Sequence, residues 1–108
     1  MTLVLQLPEA IDALTRRDIR YRALDAVARG ERAIVLDAAD TASVDVTGVG
    51  MLINVHRVVR AFGGRVVLAG VTEPVRAALA LAGADHLLEV APTVEAAQAA
   101  TAQTAPPA

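Results

Sequence analysis

The chain has 108 residues, a formal net charge of −2, 55% hydrophobic residues and only 2% aromatic ones, so it reads as one domain with an aliphatic core. The charge gives no reason to expect nucleic acid or an anionic membrane as partner, and no apolar run reaches the roughly 20 residues of a membrane span. Cysteine is absent and all ten basic residues are arginine, which removes thiolate metal sites, disulfides, the phosphate-binding P-loop lysine and Schiff-base chemistry.

From the N-terminus, Leu3 to Leu7 is an apolar run stopped by Pro8 and reads as a strand; Glu9 to Leu14 reads as a connection. Thr15-Arg16-Arg17-Asp18 has the spacing of a capping box. It predicts a helix to about Arg29 that stops at Gly30 and turns Ile19, Ala23, Ala26 and Val27 inward. Ala33 to Leu36 is the clearest buried strand, followed by a small-residue loop over 37–43.

Val44-Asp45-Val46-Thr47-Gly48-Val49-Gly50 then opens a helix that runs to about Phe62 and is broken by Gly63-Gly64. Glycine costs about 1 kcal/mol relative to alanine inside a helix. In so alanine-rich a chain, Gly48 and Gly50 therefore point to a functional or close-packing reason. Arg65 to Gly70 contains a third strand. Pro74 suits the first turn of another helix, with Thr72 or Glu73 near its cap, Val75, Ala78, Leu79 and Ala82 inward, and a stop at Gly83. His86 to Val90 reads as a fourth strand, and Thr93 starts a last, alanine-rich helix. The domain is expected over residues 1–100, with 101–108 a disordered tail. Alternation of strands and helices predicts an α/β fold with a largely parallel sheet of about four strands covered by four helices.

In this order the motifs resemble those of the STAS domain of bacterial anti-sigma factor antagonists, over about residues 3 to 100. That family typically reads Asp-Ser-Ser-Gly-Leu-Gly where this chain has Asp45-Val46-Thr47-Gly48-Val49-Gly50. The similarity continues through Gly63-Gly64-Arg65-Val66-Val67-Leu68, Pro74-Val75-Arg76 and Gly83-Ala84-Asp85-His86-Leu87. Upstream, Ile11-Asp12 stands where the family has the Leu-Asp of Gly-Glu-Leu-Asp. Three departures are visible: Val46 replaces the first serine, Thr47 replaces the second, and Glu9-Ala10 replaces the Gly-Glu.

The N-terminal Met1-Thr2-Leu3 shows no export signal, so a cytoplasmic protein is expected, and no cofactor or metal is expected. The resemblance implies a STAS fold, a small mixed sheet with four helices, and a non-enzymatic regulator. It implies binding to an anti-sigma factor kinase, which inactivates the antagonist by phosphorylating Thr47. Asp12, Asp45, Val46, Gly48, Val49 and Gly50 are the expected partner-binding residues, and a homodimer stays open. Two other functions remain: an accessory STAS subunit of an ABC lipid transporter, and a small-ligand or nucleotide-binding STAS module. Plainer roles also stay open for these residues: Thr47 as a first-turn helix residue, Asp45 as an N-cap, Asp12 as a solvated loop acid, and Gly48 and Gly50 as packing glycines. His56 is expected to be a satisfied, half-buried imidazole. Asp37, Asp40 and Asp45 read as solvated loop acids rather than a cation site, and Arg57 and Arg60 as a solvated flank.

Overall fold

A computed structural model describes residues 2–102. The elements are β1 (Thr2–Gln6), β2 (Ala10–Ile11), α1 (Arg16–Ala28), β3 (Ala33–Asp37), β4 (Ser43–Val44), α2 (Val46–Ala61), β5 (Arg65–Ala69), α3 (Glu73–Leu81), β6 (Glu89–Ala91) and α4 (Val94–Thr101). The main sheet has four strands in the order β1-β3-β5-β6, and every pairing is parallel.

That strand order places the helices. Each neighbouring pair is joined by a helical crossover in the same direction along the sheet, and right-handed crossovers then put α1, α2 and α3 on one face. Only α4, which follows the last strand, is free to cover the other face, where it packs on β3 and β5. The central strands are apolar at successive positions because both faces are covered. Ile34, Leu36, Val66 and Leu68 point into the large core beneath α1, α2 and α3. Val35, Val67 and Ala69 point the other way and meet Ala97 of α4.

Several sequence expectations change. The connection Glu9 to Leu14 contains β2, and the loop over 37–43 runs into β4; these two short strands pair in parallel as a second layer beyond the ends of β1 and β3. Two-residue strands carry no detectable periodicity, so pattern alone cannot show them. The fourth strand is Glu89–Ala91 instead of His86 to Val90, because the chain after Gly83 makes another turn in which Leu87 and Leu88 donate backbone bonds to the Ala84 carbonyl. Thr15 precedes α1 without a capping-box bond: its hydroxyl donates to the Ala10 carbonyl and accepts from the Asp12 amide. Ala82 is exposed, whereas Val75 and Leu79 are buried as expected. Thr101, assigned to the tail, closes α4, is buried and donates to the Gln98 carbonyl. The rest of the expected tail, 103–108, lies outside the described residues.

Gly63-Gly64 ends α2 for two separate reasons. Gly63 has φ +82°, a left-handed conformation that favours glycine. At Gly64 a β-carbon would lie 2.7 Å from the Arg32 carbonyl oxygen, so the pair lets β5 start tightly against the chain entering β3.

Candidate functional site

The second, two-stranded layer builds the site. Ile11 pairs with Val44, so Asp12 and Asp45 leave the ends of β2 and β4 side by side. The Asp45 amide donates to the Ile11 carbonyl at 3.0 Å, which ties the two chain segments at this point. Both acids therefore lie beyond the carboxyl ends of parallel strands, where open α/β sheets commonly expose their ligand-binding surface.

Asp45 is the N-cap of α2. Its backbone is extended, its Oδ1 accepts from the Gly48 amide at 2.8 Å, and the same oxygen accepts from the Thr47 hydroxyl at 2.6 Å. The hydroxyl bond and the amide bond, in that order, hold the Asp45 carboxyl below its ordinary pKa, and the guanidinium of Arg16 adds to the effect. Thr47 is half-buried in the first turn, beside Val46, which is 79% exposed. Asp12 has a comparable role one element earlier: its Oδ1 accepts from the Leu14 and Thr15 amides at 2.9 and 3.2 Å and shapes the turn into α1. It is half-buried and structurally engaged, which a solvated loop acid would not be.

The two glycines of the motif differ. A β-carbon at Gly48 would sit 2.7 Å from the Ile11 carbonyl oxygen and 2.8 Å from side-chain atoms of both Ile11 and Val44; at Gly50 it would meet nothing within 4 Å. Gly48 thus lets α2 lie against β2 and β4, while Gly50 leaves the surface bare. Val49 is buried in the core. Of the six residues expected to meet a partner, Asp45, Val46 and Gly50 are exposed, Asp12 is half-buried, and Gly48 and Val49 face inward.

A family model for the STAS domain matches residues 1–97. The chain belongs to the STAS domain family. Among solved structures, it is similar to a putative anti-sigma factor antagonist of Thermotoga maritima, with 20% identity over 94% of this chain and 87% of that one and a TM-score of 0.83. It is also similar to the anti-sigma factor antagonist SpoIIAA in its unphosphorylated form, with 23% identity, 92% and 87% coverage and a TM-score of 0.76. SpoIIAA of Bacillus has been solved in a phosphorylated form as well, at a TM-score of 0.70 with 23% identity over 92% of this chain and 90% of that one. A sulfate transporter family protein of Wolinella succinogenes matches at 18% identity, 95% and 86% coverage and a TM-score of 0.83. No curated protein matches the chain.

The rim of this STAS site contains residues that motif reading did not find. A groove of about 390 Å³ between the first halves of α1 and α2 is lined by Arg16, Arg17, Arg20, Thr47, Gly50, Met51 and Asn54. Arg20 donates to Asn54 Oδ1 at 2.8 Å across the two helices. One signal was present in the sequence: Arg16 and Arg17 open a helix, where the macrodipole disfavours cations.

Elsewhere the candidates separate. Asp37 accepts from the Ala39 amide and Asp40 from the Gln6 side chain, so these acids and Asp45 each serve separate hydrogen bonds. Among the described residues no group of three or more His, Asp or Glu side chains could hold a metal ion. No described helix is long and apolar enough to cross a membrane. His56 is half-buried, but its Nδ1 is buried without a hydrogen-bond partner, so the expectation of a satisfied imidazole is corrected. Burial first, then the nearby Arg60, lowers its pKa against the opposing pull of Glu89.

Proposed function

We propose that this STAS domain is an anti-sigma factor antagonist that binds an anti-sigma factor kinase and is released from it by phosphorylation of Thr47. The observation that supports this most is the position of the Thr47 hydroxyl. It stands in the first turn of α2, reachable from solvent, with its proton directed at Asp45 and an exposed Val46 beside it. SpoIIAA, whose fold this chain shares, exists in unphosphorylated and phosphorylated forms.

The chemistry is consistent with the geometry. A partner carrying ATP would present the γ-phosphorus to Thr47 Oγ1. The Oγ1–P bond forms as the bond from that phosphorus to the β,γ-bridging oxygen breaks, ADP leaves with the electron pair, and the hydroxyl proton passes to the Asp45 carboxylate. The modification adds about −1.5 to −2 charges to a small helix tip that already carries the Asp45 carboxylate. Moving a complex from mostly bound to mostly free takes about 5.5 kcal/mol, which burying that charge in an interface can supply. Val46, Thr47 and Gly50 would form the contact, with Asp12 at its edge. Gly48 and Val49 would act by setting the position of the helix.

The test is incubation with an anti-sigma factor kinase and ATP, followed by intact mass measurement. A gain of about 80 Da in the wild-type chain and none in Thr47→Ala is expected; a gain that survives in Thr47→Ala rules the assignment out. A second reading, an accessory STAS subunit of a transporter, is favoured by the likeness to the Wolinella protein. It predicts a stable complex with a transport protein that Thr47→Ala leaves unchanged.

A further inference from the structure

We propose that a phosphoryl group on Thr47 is captured within the same chain by Arg16 and Arg20, across the groove between α1 and α2. The inference rests on the reading of Thr47 as the modified residue and adds where the new charge goes.

Four observations carry it. Thr47 and the three arginines line one groove. The arginines bring no acid with them: among the described residues neither Arg16 nor Arg17 has an acid within ion-pair distance, and Arg20 is bonded to the neutral Asn54. Both Arg16 and Arg17 stand in the first turn of α1, against the helix dipole, a placement that local electrostatics alone does not favour. Finally, there is room: Gly50 has nothing within 4 Å of where its β-carbon would be, so the groove is open one turn above the hydroxyl.

The chemistry of the groups matches. A guanidinium presents a planar fork of donors suited to two phosphate oxygens. Arg16 and Arg20 are one helical turn apart and so lie on the same side of α1. Arg20 is already positioned by Asn54, and Arg16 is close enough for its charge to act on Asp45. The phosphate would have Asp45 as its acidic neighbour. Without the arginines the two anions would repel; with them the phosphoryl group turns toward α1 and links the two helices. Arg17, on the flank of the same groove, would add field without being the main contact.

The test uses the full chain with phosphothreonine installed at position 47 during translation, so no kinase is involved. The second ionisation of the phosphate is followed by ³¹P NMR between about pH 4 and 9. That range brackets its ordinary pKa near 6. No histidine lines the groove. The wild-type phosphate is expected to ionise about half a unit to one unit lower than in the Arg16→Gln/Arg20→Gln double variant. In 1 M salt the two titrations should approach each other, because screening weakens the attraction between guanidinium and phosphate; the double variant reports the effect of salt on the phosphate itself. Arg16→Lys/Arg20→Lys should recover only part of the shift, because the charge stays and the fork is lost. Coincident titrations of the wild-type and double-variant chains at low salt, or a difference between them that 1 M salt leaves unchanged, overturn the capture. Neither result touches whether a kinase modifies Thr47, and a chain that no kinase modifies leaves this measurement intact.

Discussion

At Gly48 a β-carbon would lie 2.7 Å from the Ile11 carbonyl oxygen, while two residues later Gly50 faces open space. Alanine should therefore have opposite effects at the two positions. Gly48→Ala gains about 1 kcal/mol of helix propensity but must push α2 off β2, and backbone atoms cannot rotate away as a flexible side chain can. A net loss of about 1–3 kcal/mol is expected. Gly50→Ala should raise stability by about 0.5–1 kcal/mol. Thermal unfolding of both variants decides this, and equal signs would show that α2 is not held close to Ile11 at Gly48. Asp45→Ala removes the cap from Gly48 and the acceptor from Thr47, and should cost about 1 kcal/mol in urea unfolding. The cap was legible from Asp45-Val46-Thr47-Gly48 alone, because an N-cap bond is local. The reason for Gly48 was not, because its neighbour Ile11 is far away in the chain.

Among the elements, β6 is an edge strand of the main sheet, and Arg65 fastens both it and α4 to β5. From β5 its Nε donates to both carboxylate oxygens of Glu89 in β6 at 2.8 and 3.0 Å, and its Nη1 donates to the Ala100 carbonyl in α4 at 2.6 Å. The Arg65 bond, ahead of the opposing effect of burial, holds the Glu89 carboxyl below its ordinary pKa. The two side chains are 28% and 37% exposed, so water screens part of the pairing. Arg65→Met keeps the apolar stem and should cost about 1–2 kcal/mol. Amide hydrogen exchange should quicken first in α4, with α1 and α2 little changed; uniform acceleration would mean that Arg65 is not a local clasp.

For the molecule as a whole, acid should act in two stages. The folded-state pKa of His56 lies below its ordinary 6.5, so the unfolded chain binds that proton more tightly and stability falls as pH drops below about 6.5. Glu89 and Asp45 have folded pKa values below their ordinary 4.5 and 3.8. Their contribution is present above those values and is lost as pH falls through the lower folded ones. Urea midpoints should thus show a shallow decline near pH 6 and a steeper one below about pH 4.5. His56→Gln should flatten the first and leave the second; if the first stage persists, His56 is not its source.

The sequence by itself determined the α/β class, the order of the large elements, the inward stripe of α1, the capping Asp45 and the family motif around Thr47. Those features depend on residues within one or two turns of each other, where periodicity and caps operate. Only the tertiary structure decided that the sheet is wholly parallel, that Asp12 and Asp45 emerge together, that Gly48 fits against Ile11, and that Arg16 and Arg20 line one groove with Thr47. Each of these depends on segments brought together by strand pairing and by the right-handed crossovers that place α1 beside α2. A pairing between two-residue strands leaves no periodic trace in the chain, so the contacts it creates are settled by packing rather than by pattern.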